Sequence, residues 1–156
     1  MQHRFFILIV MMSALVLVSL AMWWERKETP RNMAFVRIRN TTIPVEVRTD
    51  AASRAKGLSW RAWLPRDQGM LFLFPKPDRA TFWMQGMQFP LDFIWIAGDR
   101  VVDLTENVQP PPPLQTLSPS VPADRVLEVN ARFIAEHAIQ NGDPVEMVFD
   151  KNIKIE

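Results

Sequence analysis

Apolar and polar residues alternate along much of the chain from residue 34 onward, a period of two that is typical of half-buried β-strands. In the first such stretch Val36 and Ile38 oppose Arg37 and Arg39. Residues 40–44 then read as a turn, and Gly98-Asp99 predicts a two-residue hairpin turn. The whole pattern predicts strands at residues 34–39, 45–48, 70–74, 80–84, 91–97, 100–106, 125–129 and 144–149.

Two short helices and one long loop interrupt these strands. Asp50 can cap a helix that Gly57 ends, because glycine readily adopts the left-handed conformation of a helix end. A second helix is predicted over residues 131–139, and six of the thirteen prolines, between residues 110 and 122, predict a loop. The elements predict a mainly β fold: a small antiparallel β-sandwich or a partly closed barrel with two short helices.

The segment 91–96 is apolar on both of its alternating faces, apart from one carboxylate. A strand with this pattern is typically central in its sheet and covered on both sides. Asp92 is the only formal charge in residues 81–96 and shares a face with Ile94. The pattern therefore raises the question of whether Asp92 performs chemistry or holds the chain in place.

The N-terminal residues predict a membrane segment. Phe5 to Trp24 is a run of twenty residues without a charge, long enough to cross a bilayer as a helix. Arg4 favours a cytoplasmic N-terminus, which places the rest of the chain on the periplasmic or exterior side of the cytoplasmic (inner) membrane. A cleaved signal peptide is the alternative, since Ser19 and Ala21 suit a cleavage site, and the domain would then be secreted. The predicted organisation is an anchor or signal at 1–28, a linker at 29–33 and one β-rich domain at 34–156.

Charge and cysteine content exclude several functions. Residues 30–156 carry fifteen basic and fifteen acidic side chains, a balance that gives no long-range attraction to nucleic acid. The chain has no cysteine, which excludes disulfides, a thiol nucleophile and thiolate metal sites. No glycine-rich phosphate loop and no serine in a nucleophile-elbow context occur. We therefore predict no cofactor and no nucleic-acid partner.

Several ordered motifs between Arg54 and Gly142 resemble the uncharacterised family known as domain of unknown function 192 (DUF192), and the likeness extends more loosely from Phe35 to the end. The matching residues are Gly57, Leu58, Arg61, Gly69, Met70, Leu71, Phe72, Phe82, Trp83, Met84, Pro90, Leu91, Asp92 and Glu128. The resemblance implies a compact, mainly β, sandwich-like fold, often behind an export signal. It implies no reaction, because the family has no established one.

The chain departs from the family pattern at four positions. Ser59 replaces a methionine, Gly86 and Met87 replace an Asn-Thr pair, and Arg132 replaces a glycine. If the Asn-Thr pair contacts a ligand in relatives, this chain lacks those contacts. A different ligand or a lost activity would follow.

Two carboxylates are candidate site residues. Asp92 in an apolar setting would have a raised pKa that suits a general acid or base, unless it accepts backbone N–H groups or pairs with an arginine such as Arg61. Glu128 interrupts the apolar strand 125–129 in the same way. If the two carboxyl groups converge, they could flank a glycosidic bond. Asp103 and Glu106 are interpreted as solvated.

A metal site has little support in the sequence. The only histidines are His3 and His137, and His137 is interpreted as a surface or core-edge residue. Met84 and Met87 have a spacing that suits a soft metal such as Cu(I). Methionine that fills irregular gaps in a core explains the pair better, and no metal site is predicted.

The tryptophans complete the candidate site. Alternation in residues 82–84 directs Trp83 to the side opposite Phe82 and Met84, so one of these sets can line an apolar groove. The leading hypothesis is a non-catalytic binding module for a small polar, carbohydrate or peptide ligand, with a site formed by Arg61, Trp83, Met84, Asp92 and Glu128. One alternative is a hydrolase of envelope carbohydrate that uses Asp92 and Glu128. The other is a structural docking domain that presents prolines 110–113 in an extended helix.

Overall fold

A computed structural model of the protein describes residues 33–149, so the predicted segment Phe5 to Trp24 lies outside the described residues. Within 33–149 the helices are α1 (Ala51–Lys56) and α2 (Phe133–Glu136). In that range no helix is long and apolar enough to cross a bilayer. The strands are β1 (Met33–Ile38), β2 (Thr41–Arg48), β3 (Gly69–Asp78), β4 (Phe82–Trp83), β5 (Leu91–Ala97), β6 (Arg100–Val108), β7 (Thr116–Leu117), β8 (Ala123–Asn130) and β9 (Val145–Phe149).

Seven strands form one sheet in the order β6-β5-β8-β3-β2-β1-β9, and β4 pairs with β7 in a small second sheet. All pairs in the large sheet are antiparallel except β2 with β3, which are parallel and joined through α1. The two outer strands approach each other at one end, where Arg100 bridges to Pro144. There the Val145 amide donates to the Asp99 carbonyl at 2.8 Å. The sheet is therefore curled into a partly closed barrel, as one of the two sequence-based alternatives predicts.

Several predicted boundaries are wrong, each for a local reason. Residues 41–44 belong to β2 and not to a turn; Pro44 is tolerated because pairing with β3 begins only at Val45. Strand β3 continues past residue 74 to Asp78, although its register with β8 shifts along this extension. The proline-rich loop contains β7, and α2 covers only four of the nine residues predicted as helix.

The prediction that residues 91–96 are central is confirmed. Strand β5 lies between β6 and β8, and all six residues from Leu91 to Ile96 are buried. The hairpin turn at Gly98-Asp99 is also confirmed, since Ala97 pairs with Arg100. The predicted cap of α1 is confirmed as well: the Asp50 carboxylate accepts the Ser53 amide at 2.9 Å.

Each face of the large sheet carries a separate apolar core. The first core contains residues from β1, β2 and β9 and is covered by α2 through Phe133 and Ile134. The second core is centred on β3, β5 and β8 and is covered by Leu58 and Leu64 of the loop after α1 and by the small sheet. Phe82 of β4 is central to this second core, with edge-to-face contacts to Phe72, Phe74, Phe93 and Trp95 at centroid distances of 5.1 to 6.2 Å.

Candidate functional site

Asp92 lies in the first core and is bonded to the backbone. Its side chain is fully buried. One carboxylate oxygen accepts the Asn107 amide of β6 at 2.7 Å, and the other accepts the Ile134 amide at the start of α2 at 2.9 Å. The pairing of β5 with β6 is irregular opposite Asp92, and this irregularity places the Asn107 amide toward the carboxylate. Asp92 therefore ties β5, β6 and α2 together and has no open side for a substrate.

Glu128 lies on the opposite face of the sheet. Across the antiparallel pair β5·β8, Asp92 is opposite Val129 and Glu128 is opposite Phe93. Side chains of paired residues project to the same face and successive residues to opposite faces. Asp92 thus belongs to the first core, and Glu128 shares the face of the second core. The structure does not bring the two carboxyl groups together, which corrects the hypothesis of a converging carboxylate pair.

Glu128 is a buried acid without a full set of partners. Only 6% of the residue is exposed, and its Oε2 atom has no hydrogen-bond partner among residues 33–149. Burial raises the pKa of Glu128 to about 8, an effect that the positive charges of Arg48 and Arg61 oppose but do not cancel. At neutral pH the side chain is therefore mainly an uncharged carboxylic acid, with an O–H donor and a carbonyl acceptor.

The cationic neighbours of Glu128 are bonded to a different carboxylate, that of Glu46. Arg61 donates to both Glu46 oxygens at 2.7 and 2.8 Å, and Arg48 donates to one of them at 2.8 Å. Alternation in residues 45–48 predicts a half-buried strand with Glu46 on its polar side, yet Glu46 is buried. Met70 lies between Glu46 and Glu128 in the register. The predicted site residue Arg61 therefore forms a partly buried ion pair beside Glu128 and does not pair with Asp92.

A cavity of about 230 Å³ opens next to Glu128 on the second face of the sheet. The large sheet contributes Phe72, Phe74, Leu91 and Glu128 to its lining, while α1 and the loop after it contribute Ala55 and Leu58. Phe82, Trp83 and Met87 form further apolar wall, and Arg54 and Lys56 provide the positive charges in the described lining. The cavity thus combines apolar walls with one buried polar group, a composition typical of small-molecule sites.

Trp83 and Met84 occupy different environments. Trp83 is half exposed and lines the cavity. Met84 is completely buried in the second core and is absent from the cavity lining. Met84 therefore fills the core, and its predicted contact with a ligand is not supported. Of the five predicted site residues, Trp83 and Glu128 meet at the cavity, while Arg61 lies close to Glu128.

A second, shallower cavity adjoins the first and shares Ala55, Lys56, Ser59 and Trp83 with it. Trp60 forms one of its walls and is 76% exposed. The Trp60 backbone has a φ of 65°, in the left-handed region, and its amide donates to the Gly86 carbonyl at 2.8 Å. The alternation of apolar and polar residues did not predict that Trp60 would be exposed and in a strained conformation.

Metal binding finds no support in the described part of the chain. No group of three His, Asp or Glu side chains between residues 33 and 149 is placed to hold a metal ion. His137 stacks on Phe133 at a centroid distance of 4.0 Å. Met84 and Met87, whose spacing alone would suit a soft metal, both belong to the second core.

Comparison with known sequences and structures identifies the family. The DUF192 profile, described as an uncharacterized ACR, matches residues 34–147. The chain belongs to the DUF192 family. Two solved structures are significantly similar to this chain, while no curated protein gives a significant match.

Both similar crystal structures share more than a quarter of their residues with this DUF192 chain. A protein of unknown function from Novosphingobium aromaticivorans DSM 12444 is 34% identical, with a TM-score of 0.69 over 73% of this chain and 84% of that chain. A protein from Sinorhizobium meliloti 1021, described provisionally as a transcription regulator, is 28% identical, with a TM-score of 0.72 over 77% of this chain and 97% of that chain.

Three of the four departures from the DUF192 pattern lie at the two cavities. Ser59 and Met87 line the main cavity, and the Ser59 hydroxyl donates to the Gln85 carbonyl at 2.8 Å. A Cβ atom on Gly86 would lie 2.9 Å from the Trp60 ring, so glycine at this position leaves room for the tryptophan. The departures therefore change the wall of a site and leave the Glu128 carboxyl in place.

Proposed function

We propose that this DUF192 domain is a non-catalytic binding module that takes a small, largely apolar molecule into the cavity beside Glu128. The observation that carries the proposal is the buried Oε2 atom of Glu128, which has no partner within residues 33–149 and belongs to a lining residue of the cavity. A buried polar atom without a partner costs about 1–3 kcal/mol. A ligand that supplies the missing hydrogen bond recovers that cost.

The size and lining of the cavity are compatible with a small ligand. The 230 Å³ beside Glu128 exceeds the roughly 30 Å³ share of one water molecule, so the cavity has room for a small molecule. Most of its walls are aromatic or aliphatic, so burial of an apolar ligand body is favourable there.

Binding is favoured over carbohydrate hydrolysis because the candidate acid and base are separated by the sheet. Asp92 is saturated by two backbone amides in the first core. Glu46, the carboxylate on the same face of the sheet as Glu128, is bonded to Arg61 and Arg48. A glycosidase needs two carboxyl groups on either side of one bond, and Glu128 lacks a free partner of this kind in the described residues.

We also propose that the domain works outside the cytoplasm, held to the inner membrane by Phe5 to Trp24. The support is the length and uncharged character of that run together with the position of Arg4. In this arrangement the cavity faces molecules of the periplasm or the exterior. Removal of the segment as a signal peptide would free the same module into that compartment.

The binding proposal is tested by blocking the cavity from its exposed side. Ala55 and Ala52 are both exposed residues of α1, but only Ala55 lines the cavity. We expect fluorobenzene, titrated into the full-length chain in lipid nanodiscs and followed by fluorine NMR, to bind the wild type and Ala52→Trp but not Ala55→Trp. Equal signals from all three proteins would contradict the proposal, since the probe would then be in the lipid or on the surface.

A further inference from the structure

We propose that the cavity selects ligands whose inner end is a primary carboxamide, which the Glu128 side chain holds by hydrogen bonds. The inference rests on the proposed function, because it names the ligand class of the same cavity. It excludes ammonium compounds and carboxylates as preferred ligands of this site.

The donor and acceptor of the Glu128 carboxyl group match those of a primary carboxamide. A carboxylic acid offers one O–H donor and one carbonyl acceptor in a plane, and a primary carboxamide offers the complementary acceptor and donor in the same arrangement. Among residues 33–149, Glu128 provides the only carboxyl group that lines the cavity. The lining hydroxyls are already engaged: Ser59 donates to the Gln85 carbonyl, and Thr81 pairs with Ser118 at 3.2 Å.

The charges around Glu128 argue against an ammonium ligand. Arg54 and Lys56 of α1 line the cavity, and Arg48 of β2 and Arg61 lie close enough to affect the titration of Glu128. Glu46 is the acidic group on the same row of the sheet, and it is bonded to Arg61 and Arg48. Strands β3 and β5 add only apolar residues to the described lining, namely Phe72, Phe74 and Leu91. An entering cation would therefore meet a positive environment.

Desolvation argues against a carboxylate ligand. Burying an ionised carboxylate in an apolar cavity is costly unless a cation is directly paired with it. The two guanidinium groups nearest Glu128 donate to Glu46, and the Arg54 guanidinium donates to the Leu73 carbonyl at 3.1 Å and lies 5.1 Å from the centre of the Phe74 ring. Lys56, the other cation of the lining, is a solvent-exposed residue of α1. A neutral amide avoids the cost of burying a charge and still offers a donor and an acceptor.

The protonation state of Glu128 gives the inference a pH signature. Burial raises its pKa to about 8, so the donor O–H is present below that pH and is lost above it. Carboxamide binding that needs the neutral acid should be constant from pH 6 to 7.5. Above pH 8 it should weaken, by about thirtyfold at pH 9.5 if only the protonated form binds.

Three probes of nearly equal shape separate the ligand classes: phenylacetamide, phenylacetate and phenethylamine. We expect calorimetric titration of the full-length chain in nanodiscs at pH 6.5 to show phenylacetamide binding at least about tenfold more tightly than either charged probe. Ala55→Trp should abolish all specific binding. A tighter phenethylamine or phenylacetate complex would overturn the inference.

Two substitutions at Glu128 test its role. Glu128→Gln keeps a donor and an acceptor but cannot titrate, so it should bind phenylacetamide with the same affinity at pH 6.5 and pH 9.5. Glu128→Leu is apolar and should lose the preference for the amide by about tenfold while still binding fluorobenzene. Thermal unfolding of both variants checks that the cavity is intact.

The two proposals fail in different ways. Fluorobenzene binding with no preference for phenylacetamide, or with the same pH profile in the wild type and Glu128→Gln, would overturn the carboxamide inference and leave the binding module standing. Absence of fluorobenzene binding that Ala55→Trp can block would overturn both.

Discussion

Asp92 and Glu128 are both buried carboxyl groups, but they differ in how many donors the fold supplies. Each oxygen of Asp92 accepts a backbone amide, whereas Glu128 Oε2 has no partner in residues 33–149. A carboxylate that accepts several backbone N–H groups is an integral part of the fold. The binding proposal therefore rests on Glu128, which lines the cavity, and not on Asp92.

Substitution of Asp92 should reduce stability and leave the cavity unchanged. In Asp92→Asn one amide N–H faces the Asn107 or Ile134 N–H in place of an acceptor, so one hydrogen bond is lost and a buried donor is left without a partner. We expect the free energy of unfolding to fall by about 2–4 kcal/mol. Chemical denaturation measures the loss, with the exposed Asp99→Asn as control, which should change stability by less than about 0.5 kcal/mol. Lost probe binding in a folded Asp92→Asn protein would contradict the structural role.

Glu128 should make the protein less stable as the pH rises. Its pKa is raised in the folded state to about 8 from an ordinary 4.5. Below pH 4.5 Glu128 is protonated in both the folded and the unfolded chain, so it does not make stability depend on pH there. Between pH 4.5 and 8 the unfolded chain releases the Glu128 proton, while the folded chain retains it. The free energy of unfolding should therefore decline across this window, by an amount on the order of 2–5 kcal/mol, and level off above it.

The comparison of wild type with Glu128→Gln isolates this contribution. Because glutamine does not titrate, the stability of Glu128→Gln relative to the wild type should increase from pH 5 to pH 8. Urea denaturation at several pH values measures the difference. Parallel stability curves for the two proteins across this range would show that Glu128 titrates normally.

Helix α2 begins in a strained conformation. The residue before it, Arg132, has a φ of 75°, and its side chain makes no cap hydrogen bond. Left-handed backbone costs a residue with a Cβ about 1 kcal/mol or more, and glycine adopts it freely. The DUF192 pattern has glycine at this position, which the backbone geometry explains.

Replacing Arg132 by glycine should therefore stabilise the protein. We expect Arg132→Gly to raise the free energy of unfolding by about 1 kcal/mol, because relief of strain exceeds the entropy that glycine gains in the unfolded chain. Arg132→Ala is the matched control: it removes the same side chain but keeps a Cβ, and its stability should stay close to that of the wild type. A thermal unfolding series measures both, and equal stabilisation by alanine would point to the side chain and not the backbone.

Strands whose pattern is strong and local were predictable from the sequence. The doubly apolar segment 91–96 and the Gly98-Asp99 turn led to the correct position of β5 and its hairpin with β6. Glu46 was not predictable in the same way, because its burial depends on Arg61, fifteen residues away, which folds over β2. The local alternation in residues 45–48 predicts only that Glu46 lies on the polar side of a half-buried strand.

The candidate site was predictable as a set of residue types but not as an arrangement. Glu128 and Trp83 were identified by their unusual surroundings in the sequence, and both line the cavity. Asp92 has equally unusual surroundings, but the register opposite Val129 assigns it to the other face. One residue of register decides which face a side chain occupies, and pairing between distant strands cannot be read from a single sequence.

At the scale of the whole molecule, the two faces of the large sheet are covered differently. The first core contains residues from all seven strands of the large sheet and is covered by α2. The second core is covered by short pieces: α1, the loop that follows it and the two-stranded sheet. Short covering elements with few strand contacts open more easily than a continuous sheet. The site that we propose on the second face could therefore admit a molecule without disturbing the barrel.

The anchor prediction concerns the whole molecule and needs its own test. Phe5 to Trp24 should hold the protein in the membrane fraction through sodium carbonate extraction, with the β domain accessible to protease in spheroplasts but not in intact cells. The double substitution Leu15→Arg and Leu17→Arg places charges at the centre of the span, where each costs about 2.5–3.5 kcal/mol, and should abolish membrane retention. Val16→Leu with Val18→Leu keeps the run apolar and should retain it.

Mass spectrometry of the N-terminus distinguishes the two forms of export. An intact N-terminus in the membrane fraction agrees with an uncleaved anchor, because the apolar run is longer than the usual signal-peptide core of about 7–15 residues. A soluble periplasmic protein that begins shortly after Ala21 would contradict the anchor and keep the exported location. A protein that remains in the cytoplasm of intact, correctly fractionated cells would contradict both, and the cavity beside Glu128 would then have to take its ligand from the cytoplasm.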